Sequence, residues 1–166
     1  MAGALLDRIK GYLKAHRVLT LATVDEGGPW GASLFYASDE ALNLYVLSDP
    51  ATRHGRALAD GARVAGTVHG ETKDWTTIQG IQLWGTAGEV KAAEEVFARY
   101  TEKFPFAAAL IRGDGPHRFY QITPAWIRLI DNSRGLGFKE EISVGRGAPA
   151  DLLAFHGKED PYGIQD

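Results

Sequence analysis

The sequence contains no cysteine, and this absence rules out three kinds of site. A disulfide framework, a cysteine-ligated zinc or iron–sulfur centre and thiolate catalysis all need that side chain. Such a composition suits a reducing compartment, so we expect a cytoplasmic protein. Long hydrophobic runs are missing as well. Asp7, Arg8, Lys10 and Lys14 interrupt the apolar residues near the start of the chain, which argues against a signal peptide and against a membrane span.

An excess of charge of one sign is also lacking. The 18 basic and 21 acidic residues give a formal net charge of −3, and the basic residues form no cluster. Nucleic-acid binding, which needs a basic surface to neutralise phosphates, is therefore disfavoured. We expect the partner to be a small molecule or another protein chain. The length and the hydrophobic fraction of 45% predict one domain over residues 1–166.

Several common catalytic motifs are absent too. There is no GxSxG nucleophile elbow and no P-loop, and the paired glycines lack the strand-turn-helix context of a dinucleotide-binding fingerprint. The histidines do not share the spacing of a zinc site: His16, His54, His69, His117 and His156. We therefore expect no resident metal ion and no acyl-transfer or kinase chemistry.

What is present is the two-residue alternation of β-strands, together with few helices. It predicts strands over residues 17–24, 30–37, 42–48, 63–69, 80–87 and 118–129. Helical spacing predicts helices over residues 1–16, 52–60 and 90–104. Pro124 indicates an edge or a bulge in the last strand. Residues 132–166 are predicted to form an irregular arm that covers a site. The pattern favours a mainly β fold, a six-stranded antiparallel barrel with peripheral helices.

The third strand and the short helix after it form the segment with the most distinctive chemistry. Asp49 and Pro50 are typical of a helix start, with Asp49 as the N-cap. The hydroxyls of Ser48 and Thr52 and the guanidinium of Arg53 are groups that hold a phosphate. From the spacing alone, the alternative is that Arg53 is a solvated surface charge and that Asp49 repels an anion.

The segment over residues 42–56 resembles the flavin-phosphate segment of the pyridoxamine 5′-phosphate oxidase-like split β-barrels. It reads Leu-Asn-Leu-Tyr-Val-Leu-Ser-Asp-Pro-Ala-Thr-Arg-His-Gly-Arg, and in that family a strand ending in Ser or Thr precedes a Thr/Ser-Arg-Lys stretch. Residues 30–36, 62–68 and 80–88 are similar to neighbouring strands of the same fold. His54 stands where the family usually has lysine, a departure that weakens the expected phosphate clamp.

The resemblance implies that the protein binds FMN, a phosphate-bearing flavin, between the two subunits of a homodimer. It also implies twelve cofactor-binding residues: Ser33, Leu34, Phe35, Leu47, Ser48, Thr52, Arg53, His54, Gln82, Trp84, Asn132 and Lys139. The backbone of residues 33–35 would line the flavin ring, and Gln82 would come from the partner subunit. On residue type alone, Gln82 and Lys139 are equally typical of a solvated surface.

The activity that the resemblance implies is that of an FMN-dependent oxidoreductase. Hydride would pass between a nicotinamide or another small reductant and a small substrate, without a side chain acting as acid or base. Two alternatives from other classes stay open. One is a non-catalytic protein that binds flavin, heme or deazaflavin, and the other is a barrel that has lost its cofactor and serves as an interaction module.

Overall fold

The computed structural model describes residues 2–90, 94–112 and 115–144. Its helices and strands follow one another along the chain as α1 Ala2–Ala15, β1 Val18–Asp25, β2 Gly28–Ser38, β3 Leu44–Ser48, α2 Arg53–Leu58, β4 Ala62–His69, β5 Gln79–Glu89, α3 Glu94–Lys103, α4 Ala107–Arg112, β6 Arg118–Asp131 and β7 Lys139–Ser143. Short 3₁₀ turns at Trp75–Thr77 and Asn132–Arg134 complete the described elements.

Six antiparallel strands close into a barrel. Their order is β3-β2-β1-β4-β5-β6, and β3 pairs with β6 to complete the ring. This closure confirms the mainly β barrel that the alternation predicted. β6 is 14 residues long and can therefore pair with two strands besides β5. Its residues 118–122 pair with β3 and close the barrel, and its residues 126–130 extend beyond β3.

A seventh strand corrects two expectations, the strand count and the irregular arm. β7 pairs with the second half of β6, in a region that the glycines of residues 132–166 had suggested to be irregular. Gly135 and Gly137, with φ of 133° and 72°, instead form the turn between the two strands. Residues 145–166 of the predicted arm lie outside the described residues. The bulge expected at Pro124 is confirmed, because the β5–β6 register shifts between Trp84 and Gly85, opposite that proline.

The main core fills the barrel and is closed by α1. Leu5, Ile9 and Leu13, spaced by four residues, turn one face of the helix into it. A smaller second cluster forms around Tyr100 of α3 and Phe104, the residue that follows this helix. The described part of the helix predicted over residues 90–104 is Glu94–Lys103, and α4 was not predicted. Among the described residues, no helix has the length and apolar character needed to cross a membrane.

The barrel wall has an outward face that bears on function. One row of side chains crosses six strands in register and is polar throughout: Ser33, Thr20, Thr67, Gln82, Arg128 and Glu141. The adjoining row begins with three small residues, continues with two tryptophans and ends at a serine: Gly31, Ala22, Ala65, Trp84, Trp126 and Ser143. We call these two rows, with Val18 and Phe35 beside them, the outward face.

Candidate functional site

The corner between β3 and α2 carries the segment with phosphate-binding chemistry. Thr52 is the N-cap of α2: its hydroxyl accepts a hydrogen bond from the Gly55 amide at 3.1 Å and donates one to the Asp49 carbonyl at 2.7 Å. The prediction that Asp49 caps the helix is therefore wrong. Asp49 instead accepts a hydrogen bond from the Ala51 amide at 2.7 Å, in the turn that precedes the helix.

One side of this corner faces the barrel interior. Ser48 Oγ lies 2.6 Å from His54 Nε2, and Thr52 Oγ1 lies 3.2 Å from the same nitrogen. Ser48 and His54 are both buried. Burial lowers the pKa of His54 below its ordinary value, so the ring is neutral at physiological pH. The side chain found where the family usually has lysine thus serves as an internal hydrogen-bonding partner.

The other side of the corner faces the β1–β2 turn. Arg53 Nε and Nη2 each donate a hydrogen bond of 2.7 Å to the carboxylate of Asp25, and Nη2 also donates to the Gly28 carbonyl at 3.1 Å. The guanidinium lies 4.7 Å from the ring centroid of Trp30. Hydrogen bonding to Arg53 lowers the pKa of Asp25 to about 2, so this carboxylate is ionised at neutral pH.

The three groups expected to hold one phosphate therefore do not converge. The hydroxyls of Ser48 and Thr52 are engaged with His54 and with the start of α2, whereas Arg53 points to the hairpin. The reason lies in helix geometry: consecutive residues project about 100° apart, so residues 53 and 54 are directed to different surroundings.

The donors of Arg53 decide whether this corner fits a phosphate. A guanidinium has five N–H donors, and Asp25 and Gly28 take the three on Nε and Nη2. The two N–H groups of Nη1 have no partner among the described residues. The side chain as a whole is 28% exposed. The corner fits an anion through one oriented cation rather than through three convergent groups.

The predicted residues on β2 and β3 lie on different sides of the barrel wall. Ser33 and Phe35 are exposed on the outward face, and the Phe35 ring also contacts Phe104, with 5.1 Å between centroids. Leu34 packs against the main core and Leu47 against the second cluster. The backbone of residues 33–35 is thus available on the outward face, but the side chains of Leu34 and Leu47 have packing roles.

Gln82 and Trp84 lie on the outward face of β5, half-buried. Gln82 Oε1 accepts a hydrogen bond from Arg128 Nη1 at 3.4 Å, and Trp84 is the register partner of Trp126. Arg128 also pairs with Glu141 at 2.6 Å. Arg128 could not be identified from the sequence as a site residue, because only the register of β5 with β6 brings it beside Gln82.

The two predicted residues after β6 are separated from the corner. Asn132 holds the turn: Nδ2 donates to the Trp75 carbonyl at 2.8 Å, and Oδ1 accepts from the Gly137 amide at 3.1 Å. Lys139 is exposed on β7, as the register partner of Ile130. Asn132 therefore has a structural role in the turn. Among the described residues, no group of three or more His, Asp or Glu side chains could hold a metal ion.

The sequence of this chain is similar to those of known proteins. The family profile described as pyridoxamine 5′-phosphate oxidase matches residues 5–131. The UPF0306 protein YhbP of Escherichia coli O157:H7 is 34% identical over 137 residues, which are 81% of this chain and 90% of that protein.

Two solved structures share the fold. HutZ, the heme storage protein from Vibrio cholerae, has a TM-score of 0.62 at 19% identity, covering 85% of this chain and 95% of its own. A FAD-binding protein from Mesorhizobium loti has a TM-score of 0.59 at 20% identity, covering 72% of this chain and 89% of its own. At these identities the likeness concerns the fold.

Proposed function

Because the chain belongs to the pyridoxamine 5′-phosphate oxidase family, we propose that it binds FMN between two copies of its barrel and acts as an oxidoreductase. The proposal rests mainly on the orientation of Arg53. Asp25 holds its guanidinium through Nε and Nη2, and the N–H groups of Nη1, which have no partner among the described residues, would be left to bind a phosphate. A charge-assisted contact of this kind holds phosphate more strongly than a neutral hydrogen bond does. Arg53 would therefore bind the phosphate of FMN.

The outward face supports the proposal that a second copy of the chain binds there. Val18 and Phe35 are 44% and 45% exposed there, and exposed apolar side chains grouped on one face are typical of an interface. Ser33 and Gln82 lie in the same row but three strands apart, about 14 Å at the usual strand spacing. A partner subunit would bring its own Gln82 close to the β2 strand of the first, which one chain alone does not do.

The chemistry would come from the cofactor. When bound, FMN would supply the hydride-transfer chemistry. The residues of this chain would orient the ring and exclude water, and no side chain is required as a general acid or base. His54 is neutral and buried beneath the corner, so it would support α2 without adding charge to the phosphate site.

A second candidate is heme binding. The heme storage protein HutZ shares the fold, and one residue of this chain offers a ligand for iron. His69 is exposed at the end of β4, with Nδ1 3.3 Å from the Gly70 carbonyl, and Nε2 has no partner among the described residues. A histidine imidazole nitrogen is a common axial ligand of heme iron.

The absorption spectrum of purified protein distinguishes the candidates. The FMN proposal expects flavin bands after incubation with FMN, and bleaching of those bands by NADH or NADPH without oxygen. Flavin bands that no reductant bleaches would contradict the oxidoreductase but not the binding. Uptake of heme with a Soret band that His69→Ala alters, together with no uptake of FMN, would favour the second candidate.

The dimer is tested separately on the outward face. Ala22→Arg places a charge in the middle of the row of small residues and should convert the dimer to a monomer in light-scattering measurements. Glu71→Arg, which lies in an exposed loop, is the matched control and should leave the mass unchanged. A wild-type protein that is monomeric at micromolar concentration would contradict the dimer.

A further inference from the structure

We propose that Asp25 and Gly27, in the turn between β1 and β2, are positioning residues that hold the Arg53 guanidinium ready for the phosphate. This inference rests on the proposed FMN function and extends it to residues that would not touch the cofactor. Asp25 and Arg53 are 28 positions apart in the sequence, so only the folded chain brings the turn beside Arg53.

Asp25 fixes the orientation of the guanidinium. Its two oxygens accept from Nε and Nη2 at 2.7 Å each, a bidentate arrangement that sets the plane of the group. The Gly28 carbonyl takes the second hydrogen on Nη2 at 3.1 Å. Only the Nη1 edge is left free, so the plane of the guanidinium and the direction of its remaining donors are set together.

Asp25 is itself held in place. Its Oδ1 accepts a hydrogen bond from the Gly27 amide at 2.8 Å, which closes the turn around the carboxylate. Trp30 covers one face of the guanidinium at 4.7 Å. The flexible side chain of Arg53 is therefore ordered before a ligand arrives, and a pre-ordered group loses less entropy on binding.

Gly27 is needed for this close approach. A Cβ at this position would lie 2.9 Å from Arg53 Nη2 and 3.1 Å from Asp25 Oδ1. The guanidinium is the end of a flexible side chain, so it would move while the barrel stays as it is. Gly27→Ala thus displaces the cation without changing any charge.

A competing interpretation is that Asp25 repels the phosphate and acts as a rival for Arg53. The two interpretations predict opposite signs. Exposed charges interact weakly in water and are screened by salt, whereas an unanchored arginine has many rotamers to lose. On this balance, positioning outweighs repulsion, and removal of Asp25 should weaken FMN binding rather than strengthen it.

The experiment measures dissociation constants for FMN and for riboflavin, which lacks the phosphate, by quenching of flavin fluorescence. The proteins are wild type, Asp25→Ala, Asp25→Asn, Gly27→Ala, Arg53→Ala and the double variant Asp25→Ala/Arg53→Ala. We expect Asp25→Ala and Gly27→Ala to weaken FMN binding by about threefold or more, with riboflavin binding unchanged. Asp25→Asn keeps one acceptor for Arg53 and should recover part of the loss.

The double variant tests whether Asp25 affects FMN binding through Arg53. With Arg53 already removed, Asp25→Ala should change FMN affinity no further, because Asp25 acts through Arg53. Thermal unfolding of each variant tests whether the fold is retained.

The contrary results are distinct. Tighter FMN binding by Asp25→Ala would overturn the positioning role while the flavin function stands. The same conclusion would follow if neither Asp25→Ala nor Gly27→Ala lowered the affinity for FMN relative to the affinity for riboflavin. Wild-type protein that binds neither flavin overturns the proposed function, and this inference with it.

Discussion

Arg53 and His54 are neighbours in the sequence but belong to two different regions of the molecule. His54 points into the barrel, is buried and neutral, and bonds Ser48. Arg53 points outward to the hairpin, where Asp25, Gly28 and Trp30 hold it. One short helix thus separates a buried residue that stabilises the fold from a neighbouring residue that is proposed to bind phosphate. The two sides can be tested separately.

The largest expected effect is on the buried side. His54→Ala leaves a cavity and removes the partner of the Ser48 hydroxyl, so we expect the free energy of unfolding to fall by about 2–4 kcal/mol. Denaturant unfolding followed by circular dichroism measures it. His54→Gln, which can still form a hydrogen bond, should lose less. A loss equal to that of an exposed-loop substitution would show that His54 is not a structural partner.

On the exposed side, the effect should appear in binding rather than in stability. Arg53→Ala should weaken FMN binding by more than about 1.5 kcal/mol, roughly tenfold, because a charge-assisted phosphate contact is lost. Titration by fluorescence quenching gives the value. Its unfolding free energy should stay near that of wild type, since exposed ion pairs contribute little. FMN affinity equal to wild type would contradict the assignment.

A smaller change is expected at Ser48. Ser48→Ala removes the 2.6 Å contact with His54 but leaves almost no cavity, so the unfolding free energy should fall by about 1 kcal/mol. FMN affinity should be unchanged, because this hydroxyl faces the interior. Weaker FMN binding by a stable Ser48→Ala protein would instead return Ser48 to the phosphate site.

The smallest effect is a pH dependence, and it sharpens the contrast between the two sides. The folded pKa of His54 is lowered, so between its ordinary pKa of about 6.5 and its folded pKa the unfolded chain binds more protons. Stability is therefore complete above about pH 6.5 and falls below it. Asp25, with a folded pKa of about 2, loses its contribution only as the pH falls below its ordinary pKa of about 4.

The measurement is the unfolding free energy between pH 5 and pH 7.5. Wild type should lose more stability over this range than His54→Gln, whereas Asp25→Asn should follow the wild-type slope. Parallel curves for wild type and His54→Gln would show that His54 does not keep its neutral form in the fold.

Much of the fold was predictable because it depends on local alternation. The six barrel strands and the helix α1 were found this way, since their apolar spacing is visible in short segments. β7 was missed because Gly135 and Gly137 indicated an irregular segment, although they form a turn between strands. The seventh strand depends on pairing with β6, which no short segment reveals.

The contacts made by the residues at the corner between β3 and α2 could not be predicted from the sequence. Residue types indicated Ser48, Thr52 and Arg53, but the direction of each side chain depends on distant partners. Asp25 holds Arg53 across the hairpin, and the burial of His54 draws the two hydroxyls inward. Arg128 reaches Gln82 only through strand register. Long-range pairing of this kind is what a single sequence leaves undetermined.

The most direct test of the central claim is the ratio of wild-type dissociation constants for FMN and riboflavin at physiological salt. Only FMN carries the phosphate that the free edge of Arg53 would bind, so the account predicts that FMN binds roughly tenfold more tightly. Equal affinities for the two flavins, or no binding of either, would contradict it.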